Sequence, residues 1–179
     1  AAAASARAAT PLAVVGDRCV STSQEPVGTL ETALAHTARL LESEPRLAVE
    51  QATEILKAVP GHPPGTLLLG KALLASGESD RAVATLAELT RRQPNWALAH
   101  YEFGVALAAR GRGDEAVSEL RRALKLKPDL ADAWRALADH LTAIGDESGA
   151  DSAYANSIRA STRDPRILDK VEALLGPDI

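Results

Sequence analysis

Four histidines are the residues of this chain best suited to metal binding or acid–base chemistry. They are His36, His62, His100 and His140. Two ligands on one helix must lie about one turn apart if both are to face the same metal ion. No two of these histidines have that spacing, and the single Cys19 cannot form a cysteine-based zinc site. We therefore predict packed or solvated histidines, with no metal and no cofactor.

Two carboxylates, Asp132 and Asp139, lie on the same predicted helix and could be read as an acid–base pair. We interpret them instead as groove or surface charges. The sequence contains none of the short strings that mark a phosphate-binding loop, a serine nucleophile elbow or a zinc protease helix. We therefore predict that the residues present carry no catalysis and that this chain is not itself an enzyme.

The charge balance argues against a nucleic-acid-binding protein. The net charge is −4, whereas such proteins usually show a basic patch or a high isoelectric point. The basic residues of the second half are predicted to form a solvated outer face near helix ends. No apolar run reaches the roughly 18–20 residues that cross a bilayer. We expect a cytoplasmic protein that binds no nucleic acid and has no membrane span. These basic residues are Arg91, Arg92, Arg121, Arg122, Lys125 and Lys127.

The sequence repeats with a period of about 34 residues over most of the chain. Self-similarity at a fixed period of this size is the signature of a repeat array, whose repeated elements would position these side chains. Residues of one type recur at this offset in four sets: Gly77, Gly111 and Gly145; Pro60, Pro94 and Pro128; Ala82, Ala116 and Ala150; and Leu73, Leu107 and Leu141.

Each recurring residue type has a structural reason. Glycine suits the left-handed backbone that ends a helix, and proline stops a helix because it lacks an N–H. The small residues Gly70, Gly104 and Ala138 allow a paired helix to approach closely. Asn95 and Asp129 follow the prolines, where they are placed to cap the next helix. Each repeated unit is therefore predicted to be one pair of antiparallel helices.

This pattern resembles the tetratricopeptide repeat. That family places Trp, Leu, Gly and Tyr on the first helix, Ala and Phe on the second, and Pro at the end. The resemblance implies an all-α fold, an α-solenoid of about four antiparallel helix pairs. We expect a degenerate repeat at 29–62 and repeats at 63–96, 97–130 and 131–164. The third unit carries the pattern as His100, Phe103, Gly104, Leu107, Ala116, Leu120 and Pro128. The predicted helices lie near 29–43, 46–58, 64–76, 79–92, 96–110, 113–126, 130–143 and 147–160.

The resemblance also implies a concave groove that is lined by the first helix of each pair and binds a protein or peptide partner. Tyr101 is the candidate anchor. Leu67 and Leu74 have a second interpretation, in which they pack on the neighbouring repeat. Carried over position by position, the groove residues are Leu67, Lys71, Leu74, Leu98, Tyr101, Val105, Ala108, Asp132, Arg135, Asp139 and Thr142.

One well-known groove chemistry does not fit these residues. The clamp that tetratricopeptide repeats use for a chaperone's terminal carboxylate needs Lys and Asn at two fixed positions. Here the three pairs of positions hold Leu67 and Lys71, Tyr101 and Val105, and Arg135 and Asp139. We therefore do not expect binding of a chaperone tail.

An alternative function belongs to a different class. The strings EILKAVPGHPP, WRALADHLTAIGD and YANSIRASTRDPRIL are similar to the N-terminal repeat region of tetratricopeptide-repeat sulfotransferases. Those enzymes carry a separate C-terminal domain that uses a sulfonate-donor nucleotide and a phosphate-binding loop, and no such loop is present here. On this alternative the chain is the recognition and assembly region. A native reading frame that continues well beyond this chain and contains that loop would favour it.

The two ends of the chain fall outside the clear repeats. Residues 1–28 have no sustained period, and we expect a flexible low-complexity leader. A ninth helix is predicted from Pro165 to Leu175, between Asp164 as N-cap and Gly176 as C-cap. Residues 165–179 would then form a capping helix and tail over the last repeat. This helix is also the candidate surface for a homo-oligomer.

Overall fold

The structure of this chain is a computed structural model that describes residues 29–162. Within that range it contains eight α-helices and no strand. The helices are α1 (Leu30–Ser43), α2 (Pro45–Ala58), α3 (Pro63–Ala75), α4 (Ser79–Arg92), α5 (Ala97–Ala109), α6 (Gly113–Leu126), α7 (Ala131–Ala143) and α8 (Glu147–Thr162). The all-α prediction is confirmed, and each helix begins and ends within two residues of its predicted bounds.

The helices form four successive antiparallel pairs that stack along one direction. Each helix packs on its neighbours in the chain, and α1, α3, α5 and α7 also contact one another in order. The even-numbered helices of the described part make no such contacts with one another. In a curved stack, the helices of the inner row lie closer to one another than the helices of the outer row. The odd-numbered helices therefore line the concave side, and the even-numbered helices form the outer layer.

Glycines end the first helices as the sequence predicts. Gly77, Gly111 and Gly145 have φ angles of +87°, +70° and +83°. Only glycine adopts this left-handed backbone at little cost. In each case the next amide donates back to a carbonyl of the helix, as Glu78 N does to Leu73 O at 2.8 Å. These hydrogen bonds satisfy helix-end carbonyls and fix the turn into the second helix.

Prolines end the second helices, and the last pair shows what happens without one. α4 and α6 stop two residues before Pro94 and Pro128, and each has 14 residues. Thr162 occupies the equivalent place in the last pair, and α8 continues to it with 16 residues. The ring of a proline disfavours a helical backbone at the residue before it, which accounts for the ends at Arg92 and Leu126.

Close contact inside each pair depends on the small residues. A Cβ on Gly70 would lie 2.6 Å from Leu86 Cγ, and a Cβ on Gly104 would lie 2.9 Å from Leu120 Cγ. Both leucines are fully buried and fill the space that these glycines leave. The core is otherwise built mostly from alanine and leucine, in keeping with a sequence that has 3% aromatic residues.

The last pair departs from this arrangement. Ala138 stands where the other pairs have glycine, and Tyr154 stands where they have Leu86 and Leu120. Ala138 is completely buried, whereas Tyr154 is 38% exposed. The last pair thus has a buried alanine and a partly exposed tyrosine at the two places where the earlier pairs pack a glycine against a buried leucine.

The prediction that Asn95 and Asp129 cap the next helices is wrong. The N-cap residues of α5 and α7 are Trp96 and Leu130, and neither helix start has a capping side chain. The predicted leader at residues 1–28, and the predicted helix at Pro165 to Leu175 with its caps Asp164 and Gly176, lie outside the described residues.

Candidate functional site: the concave groove

The four histidines are distant in the sequence, and their side chains lie in different environments. His36 is exposed on α1. His62 caps α3, and its Nδ1 accepts a hydrogen bond from Gly65 N at 3.2 Å. His140 is half-buried, and its Nε2 lies against the backbone of Gly113 without a hydrogen-bond partner. In the stretch from 29 to 162, no three His, Cys, Asp or Glu side chains lie close enough together to hold a metal ion.

His100 is the buried histidine of the described residues, and it joins the turn at Pro94 to α6. The side chain is 1% exposed. Its Nε2–H donates to the carbonyl oxygen of Pro94 at 3.0 Å, and its Nδ1 lies 2.6 Å from Glu119 Oε2 on α6. Trp134 makes the equivalent contact one repeat later, where its Nε1–H donates to Pro128 O at 2.8 Å. His100 therefore acts as the aromatic residue of its repeat and has no free nitrogen for chemistry.

The predicted groove residues divide by exposure along the array. Leu67 is only 6% exposed and belongs to the core with Leu73 and Leu86. The structure thus favours the second interpretation of Leu67, which packs on its neighbours rather than facing a partner. Leu74 is half-buried against the same core. The half-buried groove residues on α5 are Leu98, Tyr101, Val105 and Ala108, and the exposed ones on α7 are Asp132, Arg135, Asp139 and Thr142.

Lys71 is not a free cation, because a buried carboxylate neutralises it. Its Nζ lies 2.6 Å from Glu102 Oε1, and the Glu102 side chain is only 7% exposed. Sequence reasoning missed Glu102, because a single glutamate in an alanine-rich helix usually faces solvent. The available signal was a pair of opposite charges on neighbouring first helices.

Tyr101 lies near the middle of the concave side, between the Lys71–Glu102 pair and α7. It packs against the core of the last two repeats, and part of its ring stays exposed. Burial, followed by the negative charges of Glu102 and Asp132, raises the pKa of Tyr101 to about 12. The positive charge of Arg135 acts in the opposite direction. The phenol is therefore a neutral hydrogen-bonding group at every physiological pH.

This environment predicts the titration of Tyr101. The chain has two tyrosines, so Tyr154→Phe leaves Tyr101 as its only phenol. We expect its phenolate absorbance to appear near pH 12 in the folded protein and near pH 10 in the protein unfolded by urea. Because the folded state holds this proton more tightly, the contribution of Tyr101 to stability is complete below pH 10 and is lost as the pH rises through about 12. A folded-state titration near pH 10 would contradict the burial of the ring.

The charges on α7 are partly satisfied within the chain. Arg135 contacts Asp132 at 3.5 Å, one turn away on the same helix. The hydroxyl of Tyr154 donates to Asp139 Oδ1 at 2.6 Å, and this bond raises the pKa of Tyr154. The two aspartates therefore have different partners, which the sequence prediction of them as groove charges did not distinguish.

A small concavity opens between α5 and α7. Its volume is about 260 Å³. Small-molecule sites usually begin at roughly 300 Å³, so this space suits one side chain of a partner better than a cofactor. Val105, Ala108 and Ala136 give it apolar walls, and Asp139 and His140 lie at its edge.

The basic residues lie on the outer layer, as predicted. Arg91 and Arg92 on α4 are exposed, and both pair with Glu88. Arg121, Arg122 and Lys125 are exposed along α6. They therefore lie on different helices from the groove residues. In the described part of the chain, no helix has both the length and the apolar character to cross a membrane.

Comparison with family models gives one result. The model of the tetratricopeptide repeat matches residues 67–131 and again residues 101–165. Together the two overlapping matches cover more than half of the 179 residues. No curated protein matches the sequence.

Solved structures with the same architecture extend the likeness beyond sequence. TTC0263, a thermophilic TPR protein of Thermus thermophilus, has a TM-score of 0.71 and 23% identity, covering 86% of this chain and 85% of that chain. A crystal structure of MamA has a TM-score of 0.65 and 17% identity, covering 77% and 81%. MamA of Desulfovibrio magneticus RS-1 has a TM-score of 0.66 and 18% identity, covering 76% and 78%. At these identities the likeness concerns the fold.

Proposed function

Because this chain belongs to the tetratricopeptide repeat family, we propose that it is a protein-interaction module that binds a segment of a partner protein in its concave groove, without catalysis by its own residues. The proposed repeats are 29–62, 63–96, 97–130 and 131–164. The observation that carries the proposal is the partly exposed ring of Tyr101 on the concave side, beside the concavity between α5 and α7.

The chemistry of the groove favours an extended partner segment with an apolar anchor. Lys71 is neutralised by Glu102, and Arg135 is paired with Asp132, so little free charge remains along the middle of the groove. Leu98 and Val105 offer apolar surface around the tyrosine ring. Tyrosine and arginine are also the residue types that most often dominate binding energy at interfaces. We therefore propose Tyr101 and Arg135 as the main partner contacts.

Affinity capture with the whole chain as bait tests this groove. We expect Tyr101→Ala and Arg135→Ala each to weaken partner binding by about 2 kcal/mol, because each removes a central contact. Arg122→Ala is the matched control, since Arg122 is an exposed arginine on the outer helix α6. Circular dichroism of each variant separates lost binding from lost folding. If every captured partner survives both groove changes, the groove assignment is wrong.

The sulfotransferase alternative gains no support from the family match or from the structures compared above. It stays a prediction about residues beyond this chain. The length of the native reading frame distinguishes the two functions, since the alternative requires a further domain with a sulfonate-donor site.

A further inference from the structure

A second concavity opens on the outer layer of the array, between α6 and α8, and we call it the α6–α8 site. Its volume is about 390 Å³. None of the residues that line it belongs to the predicted groove. Its floor is apolar, and α7 contributes most of it. The floor residues are Leu124 on α6, Trp134, Leu137 and Leu141 on α7, and Ala153 on α8.

The preceding pair carries its own carboxylates at the equivalent places. The residue one repeat before Ala153 is Glu119, whose carboxylate lies 2.6 Å from the ring of His100. The residue one repeat before Gly149 is Glu115. Both Ala153 and Gly149 line the α6–α8 site. The last pair therefore has two small, uncharged residues where the pair before it has two glutamates.

Two cations lie at the edge of this site. Arg121 and Lys125 are exposed and one turn apart on α6, and both line the concavity. Neither forms a salt bridge with another residue of the stretch 29–162. By contrast, Arg91 and Arg92 on α4 both pair with Glu88. No carboxylate lines the α6–α8 site, so its edge is positively charged.

The shape and charge of the site favour a peptide segment over a free small molecule. Leu124, Leu137 and Leu141 are only 6%, 4% and 5% exposed, so the floor offers apolar surface for about one side chain. Small-molecule sites usually bury roughly 70–90% of their ligand, which calls for more enclosure than this. Two cations one turn apart also match two carboxylates better than a single anionic group, and neighbouring acidic residues of a peptide supply two.

We propose that the α6–α8 site is a second protein-interaction surface, which binds an acidic segment of a partner in which an apolar side chain lies between two carboxylates. The apolar side chain packs against Trp134 and the leucines of the floor. The carboxylates pair with Arg121 and Lys125, and the exposed hydroxyl of Ser152 lies on the opposite wall as a further donor. Because this site lies on the outer layer, the array would hold one partner in its groove and a second partner on its outer side.

Fluorescence polarisation with the whole chain and a labelled, glycine-flanked Asp-Leu-Glu peptide tests this site. We expect saturable binding by the wild type. Arg121→Glu and Lys125→Glu should each weaken it roughly fivefold to tenfold, because each replaces an attraction by a repulsion. Arg122→Glu is the matched control, since it makes the same charge change at an exposed neighbour that does not line the site. It should weaken binding by less than about twofold.

Two further peptides separate a built site from diffuse attraction between charges. An Asp-Gly-Glu peptide has the same charge but no apolar side chain, and we expect it to bind at least about fivefold more weakly. The double variant Arg121→Glu/Lys125→Glu should bind a Lys-Leu-Lys peptide and reject Asp-Leu-Glu, because its edge is now negative. Circular dichroism of each variant checks that the fold is intact.

Three results would overturn the proposal. The first is a wild type that shows no saturable binding of Asp-Leu-Glu. The second is an equal loss in Arg122→Glu, or equal binding of Asp-Gly-Glu, either of which would reduce the contact to general attraction. The third is a single-stranded DNA oligonucleotide that binds the same edge more tightly than the peptide. The assay uses no partner of the groove, so each of these results leaves the groove proposal to its own test.

Discussion

Truncating His100 to alanine is expected to lower the free energy of unfolding by about 3 kcal/mol. The ring is 1% exposed, so its removal leaves a cavity inside the third helix pair. It also leaves the carbonyl of Pro94 and the carboxylate of Glu119 without the ring nitrogens that they contact at 3.0 and 2.6 Å. Urea unfolding followed by circular dichroism measures the change.

His36→Ala is the matched control for this experiment. His36 is exposed on α1, and such a surface substitution should change stability by less than about 0.5 kcal/mol. If His100→Ala cost no more than His36→Ala, His100 could not be the packed aromatic residue that joins the turn at Pro94 to α6.

Replacing Gly70 by alanine is expected to lower the free energy of unfolding by about 2 kcal/mol. The new methyl group would lie 2.6 Å from two carbon atoms of Leu86, which is fully buried and has no space to move into. Overpacking of this kind costs up to about 3 kcal/mol, and the better helix propensity of alanine returns about 1 kcal/mol. Thermal and urea unfolding of the variant check the net loss.

Two further variants test whether the contact with Leu86 causes the loss of stability. Gly104→Ala should cost less, because its nearest approach, to Leu120, is 2.9 Å rather than 2.6 Å. Gly70→Ala/Leu86→Val should recover part of the loss, since it removes one methylene group at the point of contact. A Gly70→Ala protein as stable as the wild type would mean that the two helices of this pair do not pack as closely as the structure shows.

The sequence was sufficient to predict those parts of the fold that depend on local backbone rules. Gly77, Gly111 and Gly145 marked the helix ends because a positive φ leaves few other choices. Pro94 and Pro128 marked the ends of the outer helices for a similar reason. The caps Asn95 and Asp129 failed, because the turns they stand in close through backbone hydrogen bonds such as Trp96 N to Gln93 O.

The groove was harder to predict because its details depend on contacts between repeats. Glu102 could not be recognised as buried from its own helix, since its partner Lys71 lies on the first helix of the preceding pair. Leu67 was predicted as groove or core, and only the packing of neighbouring repeats places it in the core. The contact between Tyr154 and Asp139 joins α8 to α7, and it requires a tyrosine hydroxyl at a place where the two preceding pairs have leucine.

The contacts between successive pairs also determine how this rod responds to force. Odd-numbered helices of successive pairs contact one another, whereas the even-numbered helices of residues 29–162 make no contacts with one another. Bending that opens or tightens the curve can therefore change the spacing of the outer row without breaking contacts within it. We therefore expect curvature to be the coordinate along which this protein deforms most easily.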